Sequence, residues 1–346
     1  MLDAAMRDAA MRDSGATRTS IETRELIVVE SLGLRLQGTY HRCAEGRLAV
    51  SQGRVGVLFV NSLSLPRAAS GDSAVHWADA IAALGYPAFR IDLPGLGDSE
   101  GQSNTDLLDF INAGGFASAA AAVVRQLMQR FSLSGMILFG HCAGSVSALY
   151  AGAASPDCRG LILLDPYFHL PQAKRAKVRE ELSDWARRST LGRFLSNVYD
   201  RARSVALVAR GSAPPGNANA QLLAKWKQVA AAGLPVLLLK APGIKAQGSK
   251  PRRGEFDYID HIVKLAGKKS RVAAEFVQGA DHSFANRQGR DEVERHIDRW
   301  LVVHFPHPRF ELNSAEAAPP RGNDANLEAS KQLATPADRY CALEGR

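Results

Sequence analysis

The pentapeptide Gly140-His141-Cys142-Ala143-Gly144 constrains this chain more than any other stretch. It follows an apolar, strand-like run, Gly135–Phe139, and leads into a helical stretch of small residues, Ser145 to Ala154. A strand, a turn bracketed by two glycines and a helix make a sharp elbow with a nucleophile at its apex. Side chains at the glycine positions would collide with the strand and the helix, so the spacing has a steric cause. The turn exposes the sulfur of Cys142. It also aims the next backbone N–H, that of Ala143, at an oxyanion developing on an attacked carbonyl. An isolated G-x-C-x-G fits a buried structural cysteine better, but the flanking strand and helix favour the nucleophile.

Around the elbow, short apolar runs alternate with helical patterns. The strand candidates are Leu26–Glu30, Leu34–Tyr40, Val55–Asn61, Ala88–Asp92, Met136–Phe139, Leu161–Leu164, Val236–Leu239 and Val272–Val277. Ala120, Val123, Val124, Leu127, Met128 and Phe131 recur at helical spacing, as do Val293, Ile297, Trp300 and Leu301. The alternation predicts an α/β fold, a mostly parallel eight-stranded sheet with helices on both faces, and an antiparallel hairpin of the first two strands at one edge. Residues 21–166 and 234–306 are expected to form this core. The stretch 167–233 contains no convincing strand and lies between two strands, which predicts a helical cap over the sheet's carboxyl edge. Residues 1–20 read as a disordered or loosely helical tail, and 313–346 as a disordered one.

Charge is unevenly spread. The chain carries a net +8, and residues 171–210 hold ten basic side chains against four acidic ones, a local +6. This stretch is either an ordinary solvated face or a docking surface for something acidic or phosphorylated, with Arg187, Arg188 and Arg193 as its candidate contacts. Nucleic acid is a poor partner, because no nucleic-acid motif or interleaved aromatic accompanies the charge. No apolar run is long enough for a membrane span, and Met1 to Ser20 lacks the apolar centre of a secretory signal. Four cysteines in 346 residues make no disulfide framework, so a cytoplasmic setting is expected. Two near-motifs are set aside: Gly95 to Gly101 is one residue too long for a dinucleotide fingerprint, and Gly243 to Lys250 has Ser and Lys in the wrong order for a phosphate loop. Oligomeric state is not legible.

On its elbow and three further segments the chain resembles the α/β-hydrolase family over about residues 21–306. Phe89 to Ser99 looks like that family's loop after the fourth strand, which helps shape the rim of the site. Leu161-Ile162-Leu163-Leu164-Asp165-Pro166 looks like the strand after the nucleophile helix, and Gly279-Ala280-Asp281-His282-Ser283-Phe284 like the loop presenting the catalytic histidine. The resemblance implies His282 as general base. A thiol suits an imidazole partner, because the thiolate is the reactive form and an imidazolium stabilises it. His141 adjoins the nucleophile and reads as structural or pocket-lining. The other seven histidines show no ligand spacing, so no metal is expected, and no cofactor.

The triad acid is left open by the resemblance. Many members carry it after the strand Val236–Leu239, where this chain has Lys240-Ala241-Pro242-Gly243 and no carboxylate. Thioesterase domains of polyketide and peptide assembly lines resemble this chain in placing it where Asp165 stands. Asp165 is the first candidate, Asp257 the alternative, and a Cys–His pair without an acid the third arrangement. A second oxyanion donor is expected from the backbone N–H of Ser62 or Leu63, or from the side chain of Asn61.

Cysteine at the elbow points to acyl-thioenzyme chemistry, since such an intermediate reacts less readily with water than with amines or thiols. That resembles Cys-type thioesterases and acyltransferases, including polyester synthases. The segments Ala280-Asp281-His282 and Gly254-Glu255-Phe256 also look like cysteine-bearing hydrolases associated with exosortase systems. The leading expectation is an acyl-thioester hydrolase or acyltransferase, with coenzyme A or an acyl-carrier protein as the donor's carrier. The alternatives are a small-ester or carbon–carbon bond hydrolase with the same residues, and a non-catalytic binding protein on a hydrolase scaffold.

Overall fold

The computed structural model describes residues 23–43, 54–170, 217–242, 258–267 and 270–306. They form one eight-stranded sheet in the order β1-β2-β4-β3-β5-β6-β7-β8. Its strands are β1 (Arg24–Ser31), β2 (Leu34–His41), β3 (Val55–Val60), β4 (Ala88–Ile91), β5 (Gly135–His141), β6 (Cys158–Leu164), β7 (Val236–Lys240) and β8 (Val272–Phe276). All eight expected strands are present. β1 pairs antiparallel with β2, and β2 antiparallel with β4, while every remaining pairing is parallel. The edge hairpin is therefore where the sequence placed it.

Strand periodicity explains how the sheet is covered. Val57 and Phe59 on β3, Ile137 and Phe139 on β5, Ile162 and Leu164 on β6, and Leu237 and Leu239 on β7 all belong to one buried cluster. Their immediate neighbours Leu58, Val60, Leu138, Leu161, Leu163 and Leu238 belong to another. Successive side chains leave opposite faces of a strand, so an unbroken apolar run needs helices on both sides. Helices α1 (Ser73–Ala83) and α7 (Arg287–His304) supply the first cluster through Trp77, Ala78, Ile81, Val293, Ile297, Trp300 and Leu301. Helices α3 (Ala117–Phe131), α4 (Ala143–Ala154) and α5 (Ala220–Ala231) supply the second, through residues such as Val123, Leu127, Val146, Leu149 and Trp226. The short α2 (Leu107–Asn112) and α6 (Tyr258–Ala266) complete the described helices. No described helix is long and apolar enough to cross a membrane.

α5 falls inside the stretch expected as a cap, yet its apolar face lies against the core. Trp226 is fully buried, its ring meets Phe168 edge-on, and its Nε1–H donates to the Ile262 carbonyl of α6 at 2.7 Å. The remainder of the expected cap, 171–216, lies outside the described residues. Trp226→Ala should cost about 3–5 kcal/mol of unfolding free energy, the usual range for truncating a buried large aromatic. Urea denaturation measures this; a loss below about 1 kcal/mol would mean that α5 does not help carry the core.

From β3 the chain moves to one side of the sheet, to β4, and then crosses to β5 on the other. Open α/β sheets bind ligands at such a reversal, outside the strands' carboxyl ends. The turn after β5 holds Cys142, and the turn after β3 holds Asn61, Ser62 and Leu63.

Candidate active site

Cys142 occupies the single residue between β5 and α4, with φ 51° and ψ −116°. A side chain-bearing residue in that region is strained, and strain of this kind concentrates at functional turns. The fold holds it there from several sides. The Cys142 N–H donates to the Leu164 carbonyl at 2.8 Å, and the buried Ser145 hydroxyl lies 2.8 and 2.9 Å from the Gly140 and Leu164 carbonyls. A Cβ on Gly140 would strike the backbone of Gly144, and one on Gly144 would strike the Val60 and Asn61 carbonyls. The glycines thus let helix α4 pass close to β5 and β3.

Cys142 is partly exposed, whereas Cys43 and Cys158 are buried. Burial pushes the Cys158 thiol up to about 12, so that sulfur stays protonated and inert near neutrality. Cys341 lies outside the described residues.

His282 stands in the loop between β8 and α7. Asp281 shapes this loop by accepting from the Ser283 N–H at 2.9 Å and the Ser283 hydroxyl at 2.6 Å. Phe284 anchors it, fully buried and with φ 51°. His141 contributes too: its Nε2–H donates to the His282 carbonyl at 2.6 Å, and its ring packs on Phe284. Burial lowers the pKa of His141, which favours its neutral form. His141 is thus a brace for the histidine loop, in line with the structural reading of it.

Asp165 follows β6 with φ 44°, and its side chain is almost wholly buried. Its own N–H donates to the Leu239 carbonyl at 2.8 Å. Oδ2 receives the Nδ1–H of His282 at 2.7 Å. Oδ1 receives the Ala241 N–H at 3.0 Å and lies 2.9 Å from the Lys240 ammonium. Burial alone would raise the carboxyl, but His282 and Lys240 outweigh it and hold it below the usual carboxylate range. The His282 imidazole is pushed up to about 10, first by Asp165 and then by its hydrogen bond with the Cys142 side chain. The structure thus joins His282 to Asp165 by a hydrogen bond and brings the Cys142 side chain near enough to His282 to affect its titration. Asp257 lies outside the described residues, as do Arg187, Arg188 and Arg193, and Asp260 pairs with Lys264 on α6 at 2.6 Å.

The Ala143 N–H opens helix α4, where the first four N–H groups have no partner within the helix. Ser62 is buried and Leu63 has φ 50°, so their turn, too, is conformationally set. One expectation needs correcting. The Asn61 side chain does not face an oxyanion, because its amide is engaged within the loops. Its Nδ2 donates to the Leu65 carbonyl at 3.1 Å and to Asp92 Oδ1 at 2.9 Å, and its Oδ1 accepts from the Leu93 N–H at 2.9 Å. Asp92, fully buried, also accepts from the Arg67 N–H at 2.9 Å and pairs with the Arg67 guanidinium. This network ties the turn after β3 to the loop after β4, and no local motif announced it. Lys240 was likewise missed as a site residue; the signal was a cation at the strand end where the resemblance called for an acid.

Residues 57–199 match the family model for the alpha/beta hydrolase fold. No curated protein sequence gives a match. Among solved structures, an esterase of Pyrococcus furiosus aligns with a TM-score of 0.54 at 12% identity, over 81% of this chain and 91% of its own. DcsB, solved in complex with its substrate analogue, aligns with a TM-score of 0.51 at 15% identity, over 81% of this chain and 99% of its own. At such identities the likeness is one of fold.

Proposed function

We propose that this chain, which has the alpha/beta hydrolase fold, is an acyl-thioester hydrolase or acyltransferase acting through Cys142, His282 and Asp165. The observation that carries the reading is the line of side chains itself. A cysteine stands at the strained apex of the elbow, close enough to raise the pKa of a histidine whose Nδ1 lies 2.7 Å from a buried aspartate. A non-catalytic scaffold has no need of a buried carboxylate orienting that imidazole.

The chemistry follows from these positions. The imidazolium beside the sulfur favours its anionic, nucleophilic form. The sulfur attacks the acyl carbonyl carbon, and the new oxyanion is met by the Ala143 N–H and by one from Ser62 or Leu63. The tetrahedral adduct collapses, the bond to the donor's sulfur breaks, and the imidazolium gives its proton to that leaving thiolate. The acyl group is now a thioester of Cys142. Water or another acceptor attacks it, His282 takes the acceptor's proton, and that proton returns to the cysteine sulfur as it leaves. Asp165 stays ionised and holds the imidazole in orientation throughout. Because the intermediate is itself a thioester, amines and thiols compete well with water, which favours transfer when an acceptor is bound.

The basic stretch at 171–210 extends the proposal to the donor. A local +6 within the proposed cap would steer the phosphates of coenzyme A or an acidic carrier protein. Activity on such a donor should fall as salt rises, since the screening length shrinks to about 8 Å at 0.15 M. Reversing the charge at Arg187, Arg188 and Arg193 should raise KM for that donor and leave a small uncharged thioester unaffected. A salt-independent rate, unchanged by the three reversals, would make the stretch an ordinary solvated face and favour a small-molecule substrate. Mass spectrometry of acyl adducts on Cys142 tests the catalytic reading itself.

A further inference from the structure

We infer that Lys240 is a positioning residue of the site, acting through Asp165 to set the pH range over which Cys142 is nucleophilic. This rests on the Cys142–His282–Asp165 reading above and goes beyond it.

The geometry is fixed by strand register. Leu164 on β6 pairs with Leu239 on β7, so the residues that follow, Asp165 and Lys240, emerge side by side. Lys240 Nζ lies 2.9 Å from Oδ1 of Asp165, and the Ala241 N–H reaches the same oxygen at 3.0 Å. With Oδ1 held by β7, the carboxylate turns Oδ2 to His282. The lysine side chain is 37% exposed, so its ammonium stays hydrated while the carboxylate it touches is buried.

Charges therefore alternate along the line: Lys240 positive, Asp165 negative, His282 positive, and Cys142 negative when ionised. Without Lys240, Asp165 would act on His282 uncompensated, and the whole line would carry one more negative charge. A nearby positive charge favours ionisation of an acidic group, so losing it shifts that ionisation to higher pH. The other groups facing this line are His141, whose ring lies beside His282, Asp281, one residue before His282, and the half-buried His169, which feels the charge of Lys240. The phenol of Tyr167 feels Cys142 itself. His141, Asp281 and Tyr167 form a constant background in a comparison of variants. His169, whose protonation Lys240 disfavours, gains positive charge when Lys240 is removed and so opposes the expected shift rather than mimicking it.

The test uses the full-length protein and iodoacetamide, which reacts with the thiolate and needs no knowledge of the substrate. The alkylation rate of Cys142 is followed by mass spectrometry as a function of pH. Lys240→Met and Lys240→Gln should both move the midpoint upward by roughly half a pH unit or more, and Lys240→Arg should restore it. The glutamine keeps a donor for Oδ1 and removes the charge, which separates electrostatics from tethering and supplies a second variant should methionine fold poorly. A merely structural lysine would lower the melting temperature and leave the midpoint in place. Midpoints for the Met and Gln variants that superimpose on the wild type would overturn the inference. A wild-type profile unaltered by His282→Ala would instead overturn the Cys–His reading beneath it.

Discussion

Cys142→Ala should abolish turnover of every acyl donor the protein accepts, a loss on the order of 10⁴–10⁶-fold for a removed nucleophile. Rates on a panel of acyl thioesters, measured in parallel for Cys43→Ala, Cys158→Ala and Cys341→Ala, provide the check. Those three variants should retain activity, since Cys43 and Cys158 are buried and Cys158 is held protonated. Residual activity of Cys142→Ala above about a tenth of wild type would remove Cys142 from the mechanism. Cys142→Ser refines the test. An ester intermediate in place of a thioester should be less reactive toward thiols and amines, so a transferase should drift toward plain hydrolysis.

Asp165→Asn should have the second largest effect, a fall of about 10²–10⁴-fold in kcat, by the loss of the charge that orients and stabilises an imidazolium. The asparagine keeps the shape, so the fold should survive. The pH response carries a sign. His282 is raised to about 10, so its stabilising interaction is fully present below the ordinary imidazole range and is lost as pH climbs through that value. Removing the Asp165 charge should bring the alkaline limit of the activity profile down toward the ordinary histidine range. Asp257→Asn should change little. If Asp257→Asn were the damaging one and Asp165→Asn benign, the acid would move to Asp257; small effects from both would leave a Cys–His dyad.

Much of the fold was legible because parallel strands buried on both faces leave a coarse signature. The apolar runs of β3, β5, β6 and β7 each appear in sequence as near-continuous hydrophobic segments, and each is buried almost end to end. Boundaries were less legible. β5 runs to His141 because the elbow starts without any intervening loop, which an apolar run ending at Phe139 does not reveal. β1 reads as a solid apolar stretch from Leu26 to Val29, yet only Ile27 and Val29 are buried. The strand lies at the sheet edge with one face outward, and edge position is a property of the whole topology.

The site divides in the same way. Cys142, His282 and Asp165 were readable as candidates because each sits in its own short segment at a strand end. What joins them to the rest was not readable. Lys240 reaches Asp165 only through the β6–β7 register, across 75 residues of chain. The Asn61–Asp92–Arg67 network gathers three side chains from two loops, and it redirects Asn61 from a chemical role to a structural one. Long-range polar contacts of this kind have no local period or spacing to announce them.

The central claim is that Cys142 carries the acyl group. Its most direct test is the intact mass of the protein, followed by peptide mapping, after brief mixing with a panel of acyl-coenzyme A thioesters and simple esters. A mass gain equal to the acyl group, mapped to Cys142, present with thioesters and absent from Cys142→Ala, is the predicted result. Adducts with esters alone would favour the small-ester hydrolase. No adduct from any donor at short mixing times, with no turnover of any of them, would contradict the claim and leave a binding protein on a hydrolase scaffold.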